Sequence, residues 1–269
     1  MKNILLKGVM LSVILWTVSS CNEETVVAPI NYNEIVTGLI DANNISVTVF
    51  SEYEVNTGHF PFFVELKDAT TQQVLSGYTV KVVPMMHMTT KSHSTFIQPW
   101  ESNLLPKDTH GFEAVFVMPS GDMGYWELKV LITDNNGVVL PEIILPITVL
   151  QPVQSTLNSF LSATDEAKIF VALTQPKKPE IGINDLDFIL FKMETMMSFP
   201  AIETYHITFV PEMPTMDHGS PNNVDPVFVA NGHYLGKVNF TMTGLWRLNL
   251  TLSDETQTLV GTTSFDIEF

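Results

Sequence analysis

From about residue 40 onward, apolar and polar side chains alternate in short runs. Ile45-Ser46-Val47-Thr48-Val49, Phe62-Phe63-Val64-Glu65-Leu66 and Tyr78-Thr79-Val80-Lys81-Val82 each place every second side chain on one face. That is the pattern of a half-buried strand. Phe112 to Met118, Trp126 to Ile132 and Ile143 to Leu150 continue it, and Asn56-Thr57-Gly58, Ser76-Gly77 and Asp134-Asn135-Asn136-Gly137 mark turns between runs. A second series follows: Ala167 to Leu173, Phe188 to Phe191, Tyr205 to Val210, Tyr234 to Phe240, Trp246 to Leu252 and Thr262 to Phe269. The segment 151–165 between them is rich in Ser, Thr, Asn and Gln and reads as a linker with a short helical turn.

The two series share an order of landmarks, as a tandem duplication would. Tyr78-Thr79-Val80-Lys81-Val82-Val83-Pro84 parallels Tyr205-His206-Ile207-Thr208-Phe209-Val210-Pro211. Each is followed by a Met/His-rich loop, a polar turn with His110 or His233, a strand ending near Met118 or Met242, a Gly-containing turn and a tryptophan, Trp126 or Trp246. Units of roughly 105–110 residues with about seven strands predict immunoglobulin-like sandwiches, each tryptophan filling a core. The expected fold is therefore all-β, with two tandem immunoglobulin-like antiparallel β-sandwich domains at 41–150 and 166–269. A chain of 269 residues is long enough for two such domains.

Charge narrows the function. There are 13 Lys and Arg against 29 Asp and Glu, a net charge of −16, and Arg247 is the one arginine. Such a surface repels phosphate backbones, so nucleic acid is excluded as a partner, and it gives no electrostatic grip on anionic lipid. The single cysteine, Cys21, forbids a disulfide within the chain and a thiolate metal cluster.

That cysteine has its own context. Lys2 and Lys7 precede an apolar stretch, Gly8 to Val18, too short to span a bilayer but suited to a signal-peptide core. Val18-Ser19-Ser20-Cys21 resembles the lipobox of bacterial lipoproteins, in which the cysteine thiol receives diacylglycerol and becomes the new N-terminus. The resemblance implies a lipoprotein signal peptide at 1–20, lipidation of Cys21, a tether at 21–40, and attachment to a membrane through that lipid. Asn22-Glu23-Glu24 is similar to surface-export signals of Bacteroidota lipoproteins. The expected location is the cell envelope, as an outer-membrane lipoprotein facing the periplasm or the exterior. Loss of Lys2 and Lys7 takes the net charge from −16 to −18.

The loops carry the candidate chemistry. Thioether sulfur suits Cu(I) and imidazole suits either copper oxidation state. Met213, Met216 and His218 lie within six residues, and the first series offers Met86, His87, Met88 and His93. If the strand continues, Met86 and Met88 point one way and Met85 and His87 the other, and His93 joins either group. Each loop would hold its own ion, or the two would face each other across the tandem and share one; the sequence leaves both arrangements open. Met193, Met196 and Met197 are expected to pack in the core or under a loop. No Asp-rich calcium loop is present.

Met213-Pro214-Thr215-Met216-Asp217-His218-Gly219, then Gly232-His233-Tyr234, then Phe240 to Trp246, resembles the YtkA-like domains related to the FixH proteins of bacterial oxidase assembly. The resemblance is close over about 200–252 and looser over Pro84-Met85-Met86-His87-Met88. It implies an extracytoplasmic β-sandwich, copper as ligand and a copper-handling or envelope protein as partner. No nucleophile with a nearby base, phosphate loop or H-E-x-x-H motif occurs, so an enzyme is not expected. The alternative is a non-metal immunoglobulin-like stalk or protein-interaction module.

Overall fold

Strand pairing shows how the alternating faces are used. The computed structural model describes residues 30–269, so the expected signal peptide, Cys21 and the first part of the expected tether lie outside the described residues. Met1–Ile30 and Asn31–Phe269 are separate units, and the second carries all the strands described below. Among the described residues there is no α-helix, and none is long and apolar enough to cross a membrane.

The first nine strands are β1 (Asn33–Ile40), β2 (Ile45–Ser51), β3 (Gly58–Asp68), β4 (Thr79–His87), β5 (Ser92–His93), β6 (Phe96–Pro99), β7 (His110–Phe116), β8 (Tyr125–Thr133) and β9 (Ile143–Ile147). They form two antiparallel sheets, ordered β1-β2-β3-β7-β6 and β5-β4-β8-β9. The next nine are β10 (Leu157–Leu161), β11 (Lys168–Gln175), β12 (Gly182–Met193), β13 (His206–Met213), β14 (His218–Gly219), β15 (Val224–Ala230), β16 (His233–Phe240), β17 (Leu245–Ser253) and β18 (Leu259–Glu268). Their sheets run β10-β11-β12-β16-β15 and β14-β13-β17-β18, the same order strand for strand.

Two boundaries move. Residues 33–40, expected in the tether, form β1 and pair with β2 through a 3-10 turn, where Asn44 adopts φ 52°. Residues 157–161, expected in the linker, form β10 rather than a helical turn. Both are edge strands with polar interruptions, so pairing with a neighbour, rather than their own periodicity, defines them.

Each pair of sheets encloses a core. Val47, Val49, Phe60, Phe62, Val64, Phe116, Trp126, Leu128 and Val130 pack together between the first two sheets. Ile169, Val171, Phe188, Leu190, Tyr234, Phe240, Trp246, Leu248 and Phe265 do so between the second two. A third apolar cluster joins the sandwiches, made by side chains on the outward faces of the five-stranded sheets. Phe96 and Val115 meet Phe170, Ala172, Ile189, Phe191 and Phe199. The Phe191 ring stacks on Phe170 at 4.9 Å and on Phe96 at 5.0 Å. β11 and β12 are therefore apolar on both faces, one for their own core and one for the neighbouring sandwich.

Candidate functional site

One end of each sandwich carries the same small assembly. In the first, the Trp126 indole N–H donates to the Met118 carbonyl at 2.9 Å, and the His93 ring meets Trp126 edge-on at 5.5 Å. In the second, Trp246 donates to the Met242 carbonyl at 3.0 Å, and His218 meets Trp246 edge-on at 5.9 Å. The hairpins match as well: Met86 pairs with His93 across β4–β5, and Met213 pairs with His218 across β13–β14. A glycine at positive φ lets each hairpin approach its tryptophan strand. A Cβ on Gly124 would lie 2.1 Å from the His87 carbonyl oxygen, and one on Gly244 would lie 3.0 Å from Met213 Cε.

The predicted ligands separate within this frame. Met86 and Met213 are 0% and 3% exposed and belong to the two cores. His87 points away from its core: Nε2 lies 2.8 Å from Glu127, Nδ1 faces the Ser92 hydroxyl at 3.2 Å, and the ring stacks on Tyr125 at 5.0 Å. Met216 sits in the β13–β14 turn, 56% exposed, its amide bonded to the Met213 carbonyl at 3.1 Å. Met88 and His93 come together on the wall of a cavity of about 360 Å3.

That cavity holds sulfur outside the predicted ligand set. Met118 lines it from the first sandwich, and Met193 and Met196 line it from the second. His93 is the fixed point, 7% exposed. Its Nδ1 lies 2.6 Å from the Ser94 carbonyl oxygen, which only accepts, so Nδ1 carries the proton. In the neutral ring Nε2 is then a lone pair, and it faces Met118 Sδ at 3.4 Å. Two donor atoms without a proton between them are what a soft cation would join. Metal bonds of about 2.0 Å to nitrogen and about 2.3 Å to sulfur span such a gap at an angle of roughly 100°. Lys91 and Lys168 also line the cavity and no carboxylate does. Among the described residues, no group of three or more His, Cys, Asp or Glu is placed to hold a metal.

A second polar constellation lies in the seam between the sandwiches, and the sequence reading had placed His233 in an ordinary turn. Glu113 of β7 receives His59 Nε2 at 2.8 Å and His233 Nε2 at 3.0 Å, with Gln98 donating at 2.6 Å. The other His233 nitrogen reaches Asp187 of β12 at 2.9 Å, and Thr174 donates to the same carboxylate. Burial opposes ionisation of Glu113, but hydrogen bonds and charge from His233 and His59 hold its carboxyl far below the usual range. Burial also opposes protonation of His233, yet the two carboxylates raise it to about 10. His59, almost wholly buried, is lowered by desolvation. The seam therefore pairs one imidazolium with two carboxylates. The sequence signal for it was a charge or imidazole inside an otherwise apolar strand, as at Glu113 in β7.

The fold and these ends define a two-sandwich, all-β chain with a soft-donor cavity at one tip. Residues 165–251, from the start of β11 into β17, match the family model described as YtkA-like. No curated protein matches the chain. Among solved structures, the Yersinia pseudotuberculosis adhesin InvE is similar at 12% identity and a TM-score of 0.24, over 90% of this chain and 60% of that one. The chain thus spans well under two thirds of that structure's length.

Proposed function

We propose that the chain is an envelope module, tethered by lipid on Cys21, that binds Cu(I) through thioether and imidazole donors at the tip of its first sandwich. The observation that carries this is His93: a backbone carbonyl fixes its tautomer, and its free Nε2 faces Met118 Sδ at 3.4 Å. A backbone acceptor on the far nitrogen is the usual way a ligating imidazole is oriented. The donor set favours a soft ion. Lys91 and Lys168 on the same wall disfavour a divalent charge about twice as strongly as a monovalent one. The module binds rather than catalyses, and its partner is an envelope protein that delivers or receives the metal. The YtkA-like match over 165–251 and the corresponding strand orders support reading both sandwiches as copies of one such domain.

The test is a Cu(I) titration under anaerobic conditions against a chromogenic chelator. It uses the full chain in mild detergent with Cys21→Ser, which removes the one thiol. One tight equivalent is expected, weakened strongly in His93→Ala and less in Met118→Leu. A stalk without metal is the rival, favoured by the complete burial of Met86 and Met213 in the cores. It predicts no uptake above the chelator from a normally folded chain. The tether is tested separately: labelled fatty acid enters the wild-type chain and not Cys21→Ala.

A further inference from the structure

The methionines that line the His93 cavity come from both sandwiches. The connection after β12 folds back at Thr195 and Ser198 and lays its backbone on the first sandwich, where the Ser94 amide donates to the Met196 carbonyl at 2.8 Å. Phe199 at the base of this turn packs against the His93 ring at 6.4 Å and belongs to the apolar cluster joining the sandwiches. Met193, at the end of β12, and Met196, in this connection, line the cavity, and Met196 remains 41% exposed although its backbone is clasped. Met88, His93 and Met118 of the first sandwich line the same cavity. Packing alone does not account for the placement of Met196, because an exposed thioether buries little apolar area.

We infer that Met193 and Met196 of the second sandwich supply thioether ligands that complete the first sandwich's metal site, so that loading with a soft monovalent cation fastens the two sandwiches together. This rests on the copper reading and adds to it a second set of ligands and a mechanical consequence. His93 and Met118 give two donors already at bonding separation. The cavity of about 360 Å3 leaves room for the flexible Met88, Met193 and Met196 side chains to swing inward. A bond from each side joins the sandwiches through residues other than Glu113, His233 and Asp187. Metal binding then stabilises the joined arrangement by mass action, because only that arrangement offers the whole ligand set. The Ser94 amide reports it directly, since its bond to Met196 is the clasp.

The experiment compares the full chain carrying Cys21→Ser with the same chain carrying Met193→Leu and Met196→Leu. Leucine keeps the volume and removes the sulfur. Cu(I) itself is the probe, in competition with a chelator, and hydrogen exchange at Ser94 is followed with and without the metal. We expect the double variant to bind at least about tenfold more weakly, and Cu(I) to slow Ser94 exchange in the parent but not in the variant. Met197→Leu, whose side chain is exposed and does not line the cavity, serves as a folding control and leaves both readouts unchanged. Unchanged affinity in a normally folded double variant overturns the shared site while leaving copper binding at His93 intact. Absence of Cu(I) uptake by the parent overturns both.

Discussion

The two tips are built on one frame and finished differently. Both have a β hairpin with a buried methionine opposite a histidine, a glycine that lets the hairpin approach, and a tryptophan whose N–H is held by a methionine carbonyl. At the first tip the histidine is 7% exposed, touches a thioether and is covered by a turn from the other sandwich. At the second, His218 is half-buried, Met216 is 56% exposed and Met242 is 37% exposed. The hairpin and tryptophan therefore belong to the sandwich, whereas donors that converge depend on a neighbour. A Met/His-rich loop does not become a site until something holds its side chains inward.

The largest effects test the shared frame. Trp126→Ala and Trp246→Ala each empty a fully buried position and are expected to cost about 3–5 kcal/mol by denaturant unfolding. Similar losses mean the frame serves both tips alike; a near-neutral result at either one breaks the comparison. Next comes the seam that holds the sandwiches in register. His233→Ala leaves Glu113 and Asp187 without their shared cation and is expected to cost about 3 kcal/mol, whereas His87→Ala, at a pair in which the imidazole itself is 31% exposed, costs about 1 kcal/mol or less.

The tips themselves come third. His93→Ala is expected to weaken Cu(I) binding about 100-fold, equivalent to about 2.7 kcal/mol. His218→Ala changes the tight equivalent by less than about threefold, because its thioethers are buried in the core or held out in solvent. Equal losses at the two histidines would mean that cover from a neighbour is irrelevant. The seam is tested again through pH dependence. His233 is raised from 6.5 to about 10 in the folded chain, so its contribution is complete below pH 6.5 and is lost as pH rises through 10. Glu113 is lowered from 4.5, so its contribution is present above pH 4.5 and is lost as pH falls toward its depressed folded value. Urea midpoints should be highest between those limits, and His233→Gln should flatten the alkaline slope. An alkaline slope unchanged by that substitution would remove His233 from the account.

Much of the fold was legible because strand periodicity is local. All twelve runs read as strands are strands, and the shared order of landmarks matches the shared strand order. Six edge strands were missed: β1 and β10, where Asn33, Glu34 and Thr37 in one, and Asn158 and Ser159 in the other, break the apolar pattern, and β5, β6, β14 and β15, which lie in the segments read as loops. The runs Ile169 to Leu173 and Phe188 to Phe191 are unbroken because both of their faces are buried, as the stacking of Phe170, Phe191 and Phe96 shows. The site was legible only in part. Met88 and His93 stood out by type and spacing, and alternation left open which of Met85 and Met86 faced inward. Packing against Trp126 settles that for Met86, which pairs with it across β4–β8. Met193 and Met196 lie about a hundred residues further along, and no spacing rule states that a turn of one sandwich rests on the tip of the other. The partners of Glu113, Asp187 and His59 were hidden for the same reason.

The most direct test is X-ray absorption on the Cu(I)-loaded full chain carrying Cys21→Ser. The account predicts a first shell dominated by thioether sulfur with a single imidazole nitrogen, and loss of that nitrogen in His93→Ala. A shell of nitrogen and oxygen without sulfur, or one unaltered by His93→Ala, would contradict it.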